Sequence, residues 1–361
     1  MKILALGATG AIGGRLIETL GSQEHEICVT TRRARGPAGP VRYIQGNAQD
    51  DAFLGRLLEQ DWDVIVDFMV YDTASFHRRV DALLGATGQY IFTSSARVFA
   101  DSSVPLDERS PRLLDVSSDA TFLATDEYAL TKARQEDILH ASGQGNWTII
   151  RPYITFGEGR LQLGTLEKEG WLYRALHGRS IVFCDALVSK WTTMTDGGDV
   201  ARMIAALVGN PGALGEDFNL TGSKAMTWGD VLSLYLDGIE LHLGVRPKIV
   251  LQSLENFCRS SHSVPQVTYD RMYDRRFDPA KIGQLFDLSS LTDCLPTLKA
   301  RLRAQLDSGN FLSPDWRAEG LRDRELGERA ALREISGSKP KLRYLYYRYF
   351  PRGMARMTRG Q

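Results

Sequence analysis

Several features that mark particular classes of protein are scarce in this sequence. Its 361 residues include four cysteines, Cys28, Cys184, Cys258 and Cys294, which form no C-x-x-C pair and stand at no zinc-like spacing from a histidine. This pattern disfavours a disulfide framework and a zinc centre, and no metal site is expected. We interpret the cysteines as reduced thiols of a cytoplasmic protein.

Long apolar runs and an excess of one charge are missing too. A glycine-rich turn follows the first apolar stretch, Lys2 to Leu6, at once, which leaves no room there for a signal peptide or a membrane-spanning helix. The 44 basic residues equal the 44 acidic residues in number, whereas a domain that binds duplex nucleic acid is typically basic. The composition therefore indicates a globular protein with no nucleic-acid partner.

The first half of the chain does contain a regular alternation of short apolar segments with helical patterns. Strands are predicted at residues 2–6, 27–31, 64–67, 90–93 and 148–151, and helices at residues 10–20, 52–58, 73–84 and 125–140. Buried, β-branched strands in this order predict an α/β fold with a doubly wound, Rossmann-like parallel sheet.

A change of pattern after Pro152 predicts how the chain divides into domains. Helices expected at residues 171–177, 199–207, 228–243 and 291–306 alternate with turn-rich segments and suggest a smaller lobe. We expect a dinucleotide-binding domain over 1–155, with a further strand and helix from about 181–208. A partly interleaved substrate-binding lobe is expected over 156–308, followed by a charged C-terminal extension over 309–361.

The turn after the first strand has the composition of a phosphate-binding loop. It reads Gly7-Ala8-Thr9-Gly10-Ala11-Ile12-Gly13 and opens the first helix. Its glycines would provide an unusual backbone angle, a close approach of pyrophosphate to the main chain, and close packing of helix and strand. The free N–H groups of the helix N-terminus would then bind the phosphates of a dinucleotide.

The end of the second strand bears on which dinucleotide is used. NAD-binding folds usually place an acidic residue there to bind the ribose hydroxyls, but this sequence has Thr31-Arg32-Arg33. Guanidinium groups bind the additional phosphate of NADP, which an acid would repel. NADP is therefore the expected cofactor, with NAD as the alternative if Arg32 and Arg33 are only a solvated pair.

Hydroxyl groups and a lysine form the candidate catalytic set. Tyr128 and Lys132 stand four residues apart in a predicted helix and so project from the same face. The reference pKa of a phenol is about 10, and a neighbouring ammonium group lowers it, which suits tyrosine to exchange a proton with a carbonyl or carbinol oxygen. Thr93 and Ser95 end the fourth predicted strand, where side chains face the ligand crevice of open α/β sheets.

The order of these motifs resembles the extended short-chain dehydrogenase/reductase family, in particular its NAD-dependent epimerase/dehydratase branch. The matching features span roughly residues 1 to 300. They are the glycine turn, Ser95, the Tyr128/Lys132 pair, Arg151-Pro152, Asp199-Val200-Ala201 and Phe218-Asn219-Leu220-Thr221-Gly222. The resemblance implies a homodimer as well as a nucleotide-sugar substrate.

Individual roles follow from the resemblance. Ser95 would hydrogen-bond the substrate oxygen, Tyr128 would be the general acid or base, and Lys132 would hold the nicotinamide ribose. Tyr153 would lie beside the nicotinamide. The remaining cofactor contacts would come from Asn47 and Ala48 near the adenine, and from Phe68, Met69 and Val70 after the third predicted strand.

Two departures from the family pattern qualify this assignment. Asn47 stands where members often have an aspartate, and Asp67-Phe68-Met69 replaces a histidine and small residues. Dehydratases of the family carry an Asp-Glu pair beside the active-site hydroxyl, and Ser94-Ser95-Ala96 supplies none, which argues against dehydration.

Substrate-contacting residues are sought after the fifth predicted strand. Arg174 would clamp a diphosphate and Trp191 would stack on a base or sugar, with Thr93 as a further candidate. The alternative for residues 171–176 is that they form helix core, with Arg174 as a surface charge. Cys184 is either a second acid or base for epimerisation or, more simply, a buried strand thiol.

These features favour an NADP-dependent oxidoreductase that transfers hydride at a secondary alcohol or ketone of an activated sugar, as polysaccharide biosynthesis requires. A nucleotide-sugar epimerase with tightly held NAD(P) shares this chemistry and stays open. A cofactor-sensing or RNA-associated protein without catalysis is a third alternative, because a fold does not determine a function.

The C-terminal residues from Lys339 to Gln361 are basic and aromatic. They contain seven basic residues and no acid, so residues 1–338 carry a net charge of minus seven. Basic residues beside aromatic residues suit an anionic membrane surface, and the inner membrane face is therefore one expected location. A helix docked on a partner protein and a solvated extension are the alternatives.

Overall fold

The computed structural model describes residues 1–36, 39–261 and 263–350. In chain order the strands are β1 Lys2–Leu6, β2 Glu26–Thr31, β3 Val41–Gln45, β4 Trp62–Asp67, β5 Thr87–Thr93, β6 Trp147–Pro152, β7 Thr155–Phe156, β8 Gln162–Leu163, β9 Leu166–Glu167, β10 Ile181–Cys184, β11 Trp191–Thr192, β12 Thr195–Asp196, β13 Glu216–Leu220, β14 Met226–Thr227 and β15 Ile249–Gln252. The helices are α1 Ala11–Gly21, α2 Asp51–Leu58, α3 Thr73–Gly85, α4 Leu113–Val116, α5 Ala120–Leu123, α6 Tyr128–His140, α7 Lys168–Leu176, α8 Gly197–Leu207, α9 Trp228–Leu243, α10 Leu254–Ser260, α11 Val264–Gln266, α12 Cys294–Ser308, α13 Trp316–Leu326 and α14 Ser338–Tyr349.

The chain divides into two compact units. Unit 1 consists of Met1–Gly157, Thr193–Ala225 and Asp274–Thr297, and unit 2 consists of Glu158–Thr192, Met226–Tyr273 and the chain from Leu298 onward. These units differ from the expected domains. Strand β10 was expected in the dinucleotide-binding domain, but it belongs to unit 2, because it pairs in parallel with β15.

Unit 1 is built on a parallel sheet, which confirms the predicted doubly wound fold. Among the described residues the sheet has seven strands in the order β13-β6-β5-β4-β1-β2-β3. The direction of winding reverses between β1 and β4, which are neighbours in the sheet. Ligands of open α/β sheets bind at such a reversal, outside the carboxyl ends of the strands.

Helices cover both faces of this sheet. In β1, Ile3 and Ala5 face one apolar cluster that includes residues of α1 and α8, whereas Leu4 and Leu6 face a second cluster with residues of α2, α3 and α6. Each of these four β1 residues is at most 1% exposed. A strand that is apolar on both faces has to be buried on both sides, so β1 fixes the glycine turn that follows it.

Unit 2 contains the C-terminal helices as packed elements. Trp316 of α13 packs edge-on against Tyr344 of α14, with ring centroids 5.9 Å apart. A charged C-terminal extension was expected over residues 309–361, but residues up to 350 belong to this unit, because their carboxylates pair with buried arginines of the segment 174–179. The expected tail residues 351–361 lie outside the described residues.

None of the described helices is long and apolar enough to cross a membrane.

Candidate active site

The glycine turn has the geometry that a phosphate-binding loop needs. Gly7 has a φ of +69°, which L side chains rarely adopt, and a Cβ on Gly13 would lie 2.5 Å from Ala8 Cα. Gly10 caps α1 without a side-chain hydrogen bond, and a Cβ there would meet open space. The N-terminus of an eleven-residue helix thus faces an open region, which fits a pyrophosphate group.

The turn residues between these glycines line the same region. Thr9 is exposed, and Ala11 and Ile12 are half-buried at the start of α1. A Cβ on Gly7 would lie 2.7 Å from Met69 Sδ. The turn after β1 therefore contacts the segment after β4, as expected for a crevice at the reversal point of the sheet.

The end of β2 leaves two arginines exposed. The Thr31 hydroxyl donates to the carbonyl oxygen of Arg33 at 3.0 Å and accepts from its backbone N–H at 3.2 Å, so it shapes the turn. Arg32 and Arg33 are both exposed. The Thr30 hydroxyl accepts a hydrogen bond from Gly7 N–H at 3.0 Å, which joins this strand end to the glycine turn.

The other expected cofactor residues flank the same edge of the sheet. Asn47 is exposed and its side chain accepts a hydrogen bond from Gln49 N–H, whereas Ala48 is buried. Phe68 and Met69 are half-buried, and Val70 is 58% exposed. This exposed apolar surface after β4 fits the face of a planar ring.

Ser95 and Tyr128 belong to two segments that contact each other through Arg97. The Ser95 hydroxyl accepts from Arg97 N–H at 3.3 Å, and the Arg97 guanidinium lies 5.1 Å above the Tyr128 ring. Arg97 also pairs with Glu127, whose carboxylate caps α6 by accepting from Ala129 N–H at 2.6 Å. Through these contacts the loop after β5 and the start of α6 form one corner of the site.

Lys132 lies in the core of unit 1, one turn along α6 from Tyr128. Its side chain is 2% exposed, and its Nζ lies 4.5 Å from the centre of the Phe92 ring. Burial lowers the pKa of Lys132 to about 8, although the charges of Asp67 and Glu136 oppose this shift. The ammonium group is therefore present at neutral pH and is lost as the pH rises through about 8.

Asp67 is a buried carboxylate at the end of β4. It accepts hydrogen bonds from Tyr90 OH at 2.8 Å, Tyr71 OH at 3.1 Å and Met69 N–H at 2.8 Å. Burial raises the pKa of Asp67, and burial beside this carboxyl raises the pKa of both tyrosines. The two phenols thus stay protonated and hold Asp67 in place near Lys132.

Glu136 is a second buried carboxylate whose charge acts on Lys132. It is fully buried and accepts from Ser94 Oγ at 2.5 Å and from Arg151 Nε and Nη2 at 2.7 and 2.9 Å. Arg151 also pairs with Asp217 at 2.6 Å. The Arg151-Pro152 motif therefore ties β6 to α6, and Ser94, unlike Ser95, is engaged in this structural contact.

Three residues that make direct contacts in this site were not identified as functional candidates from the sequence. Arg97 occupies a position that local spacing does not distinguish from a surface charge, Glu136 was not considered, and Asp67 was noted only as a departure from the family pattern. Glu136 follows Lys132 by four residues, so it lies on the same helical face as Tyr128 and Lys132. That spacing was the one available signal.

The residues after β5 and β6 complete the crevice. Thr93 Oγ1 is buried, and the described residues offer it no hydrogen-bond partner. A buried hydroxyl in this condition is rare, and it suits a polar ligand. Tyr153 is 2% exposed, with its ring 5.2 Å from that of Phe277, and the next residue, Ile154, has a φ of +21° that is unusual for a β-branched side chain.

The substrate candidates of unit 2 are arranged differently from expectation. Arg174 was expected to clamp a diphosphate, but it is 0% exposed, and its guanidinium donates to Glu319 and Asp323, both at 2.8 Å, as well as to Glu328 and the Ser180 carbonyl. Its donors are engaged by protein acceptors, so the guanidinium does not face a substrate and the expected diphosphate clamp is corrected to a structural role.

Trp191 and Cys184 also lie in unit 2. Trp191 is 39% exposed in β11, which pairs with β14, and this exposure is compatible with stacking. Cys184 is fully buried at the end of β10, and burial raises the pKa of its thiol. A thiol with these properties is a poor acid or base at neutral pH, in line with the structural alternative.

Comparisons with known proteins agree with this fold. The model of the NAD-dependent epimerase/dehydratase family matches residues 3–221. No curated protein sequence matches the chain significantly. Among solved structures, the fold is similar to that of UDP-glucuronic acid 4-epimerase from Bacillus cereus in complex with UDP-glucuronic acid and NAD, with 17% identity, coverage of 86% of this chain and 100% of the other, and a TM-score of 0.64.

Two further structures are similar to a comparable degree. The Bordetella bronchiseptica enzyme WbmG in complex with NAD and UDP has 21% identity, coverage of 87% of this chain and 96% of the other, and a TM-score of 0.63. An epimerase from Methanothermobacter thermautotrophicus has 14% identity, coverage of 85% and 93%, and a TM-score of 0.64. At such identities the likeness shows the fold alone.

Proposed function

Because the chain belongs to the NAD-dependent epimerase/dehydratase family, we propose that it is an oxidoreductase that transfers hydride at a secondary alcohol or ketone of a nucleotide sugar. The observation that carries this proposal is the corner in which Arg97 joins Ser95 to Tyr128, with Lys132 buried one turn further along α6. The proposed proton transfer by Tyr128 calls for a cation on the same helical face, and Lys132 is four residues away on that face.

A nicotinamide dinucleotide, when bound, supplies the hydride donor or acceptor. The residues that would hold it are the α1 N-terminus with Gly7, Gly10 and Gly13 for the pyrophosphate, and Asn47, Ala48 and the surface of Phe68, Met69 and Val70 beyond it. Tyr153 would line the nicotinamide end. Lys132 would bind the adjacent ribose with a charge that Asp67 and Glu136 help to retain.

In this proposal the chain's own hydroxyls manage the proton. Ser95 Oγ donates a hydrogen bond to the sugar oxygen and fixes its position. Tyr128 gives its phenolic proton to that oxygen when a ketone is reduced, and takes a proton back when the alcohol is oxidised. A cation near a phenol favours the phenolate, so both Lys132 and Arg97 assist the loss of that proton.

The proposal is tested by incubating the purified protein with NADPH and a panel of keto nucleotide sugars, while the absorbance of the reduced nicotinamide is followed. Stoichiometric loss of NADPH with conversion of the ketone to a secondary alcohol on the nucleotide sugar identifies a reductase. An epimerase is the second candidate, because similar folds occur in epimerases; it is tested with NAD(P)+ and nucleotide sugars that carry the hydroxyl group, which it would convert into isomers without net formation of reduced nicotinamide. The proposal is contradicted if no nucleotide sugar tested gives either of these results.

We expect NADPH to be preferred over NADH. Replacing Arg32 and Arg33 together by alanine should raise the KM for NADPH about 10- to 100-fold, because the charge-assisted hydrogen bonds lost from these two exposed side chains are worth about 1.5–3 kcal/mol in total, and should leave the KM for NADH nearly unchanged. Arg35→Ala is the matched control, since Arg35 is also exposed and lies near Tyr43. An equal effect on both cofactors would show that the pair does not contact the additional phosphate.

Activity should also decline as the pH rises above about 8. The pKa of Lys132 is lowered to about 8 by burial, so higher pH removes the cation that stabilises the Tyr128 phenolate. A pH profile of kcat measures this effect. In Lys132→Arg the cation persists above pH 8, so the kcat of any active variant protein should no longer decline near that pH. A fall that persists unchanged in this variant would assign it to another group.

A further inference from the structure

Helix α14 turns one face inward, and the contacts of Tyr344 define that face. Tyr344 is fully buried; its hydroxyl donates to Asp323 at 2.7 Å and accepts from Ala330 N–H at 2.8 Å. Its ring packs against Trp316, and Trp316, Ala330, Ile335 and Tyr344 form one apolar cluster. The orientation of α14 about its own axis is therefore fixed.

The opposite face of α14 is exposed and carries both apolar and basic side chains. Leu342 is 67% exposed, Tyr349 53% and Phe350 50%, and the Tyr346 and Phe350 rings are stacked with centroids 5.5 Å apart. Lys339 and Arg343 are exposed on the same face, because Lys339 precedes Leu342 by three residues and Arg343 precedes Tyr346 by three. We call these six residues the α14 face: Lys339, Leu342, Arg343, Tyr346, Tyr349 and Phe350.

Acidic residues that precede α14 in the sequence form ion pairs away from the α14 face. No acidic residue follows Glu334 in the sequence. Within the preceding segment, Glu319 and Asp323 are buried against Arg174 and Arg179, and Glu334 pairs with Arg179. These three acids are thus engaged inside unit 2 and do not neutralise the basic residues of α14. Arg352, Arg356 and Arg359 add positive charge further along the sequence.

From this arrangement we propose that the α14 face binds an anionic phospholipid surface. Helices that lie in the membrane interface typically carry lysine and arginine beside exposed leucine and aromatic side chains. Their charges contact lipid phosphates, and their rings enter the headgroup region. A duplex nucleic acid would match the charge, but it offers no apolar layer for Leu342 and Phe350. An acidic protein that offers an apolar patch is the alternative that the vesicle assay decides.

The test is co-sedimentation of the full-length protein with vesicles of phosphatidylcholine alone or mixed with phosphatidylglycerol. We expect binding to the mixed vesicles only, with a decline as salt is raised. Lys339→Glu together with Arg343→Glu should lower partitioning at least about tenfold, since each basic residue near such a surface contributes substantially. Leu342→Ser together with Phe350→Ser should lower it as well, although the charge is unchanged. Removal of the whole segment is less informative, because it would also remove the buried Tyr344.

The matched control changes charge elsewhere in unit 2. Lys299 and Arg303 are exposed on α12, and Lys299→Glu together with Arg303→Glu alters the net charge equally, so this variant should still bind. The proposal is overturned if the wild-type protein does not bind the mixed vesicles, if the control loses binding to the same extent, or if both vesicle types bind equally. It is also overturned if the α14 variants dissociate a dimer in size-exclusion chromatography, which would assign the face to a second copy.

Discussion

Tyr128→Phe is expected to lower kcat about 10³-fold on the substrate that the reductase and epimerase assays identify. The variant lacks only the hydroxyl, and positioned general acids and bases typically contribute 10²- to 10⁴-fold. The phenyl ring still packs beneath the Arg97 guanidinium, so the fold should be retained. The measurement is steady-state turnover, together with cofactor binding followed by nicotinamide fluorescence, which should remain near the wild-type value.

Tyr43→Phe provides the control for this substitution. Tyr43 is half-buried in β3 of the same unit, so the same atom is removed at a place where no proton transfer is proposed, and turnover should stay near the wild-type value. Turnover of Tyr128→Phe within a few-fold of wild type would contradict the role of Tyr128 as acid or base. It would leave the family assignment and the cofactor site untouched.

The second large effect concerns stability. Arg174→Met is expected to lower the free energy of unfolding by about 3–5 kcal/mol, because removal of one partner leaves buried charges without compensation. Glu319 and Asp323 are each at most 1% exposed and would lose their 2.8 Å contacts with this guanidinium. The quantity is measured by urea denaturation, followed by tryptophan fluorescence.

An exposed ion pair supplies the comparison. Arg246 contacts Asp237 at 2.8 Å and Glu240 at 2.6 Å at the surface, and exposed pairs contribute about 0–1 kcal/mol. Arg246→Met should therefore have little effect. If the Arg174 variant is equally mild, the carboxylates of α13 must be accommodated in another way, for example by protonation, and the cluster would not be what holds α13 in unit 2.

The sequence predicted the sheet well because its central strands are short, apolar and separated by helical patterns. Strands β3 and β13 were missed, and both lie at the edges of the sheet. An edge strand is covered less completely and needs fewer apolar residues: β3 is mostly half-buried or exposed, and β13 begins with Glu216 and Asp217. Local patterns are weakest where burial is partial.

The C-terminal helices show a different limit of sequence analysis. The segment 309–350 is rich in charge, which is typical of a solvated extension. Its acids bind Arg174 and Arg179, which lie about 150 positions earlier in the chain, as the pair Arg174 and Asp323 illustrates with a separation of 149 residues. No local periodicity can reveal such partners, and the same long-range pairing explains why Arg174 was assigned to a substrate.

The candidate active site was predictable where spacing determines chemistry. The glycine turn needs its residues next to one another, and the Tyr128/Lys132 pair needs one helical turn, so both are visible in the sequence. Asp67 reaches the vicinity of Lys132 only because β4 and β5 are neighbours in the sheet, and Arg97 reaches Tyr128 only because a loop contacts the start of α6. Contacts of this kind depend on the tertiary fold.

The arginine and carboxylate cluster of unit 2 also constrains the order in which the chain can fold during synthesis. Arg174 and Arg179 leave the ribosome long before α13, and until then their charges must remain hydrated, since burial without a counter-ion is too unfavourable. Unit 1 closes earlier, because its last segment ends at Thr297. The seven-stranded sheet of unit 1 can thus be complete while unit 2 still lacks its final helices.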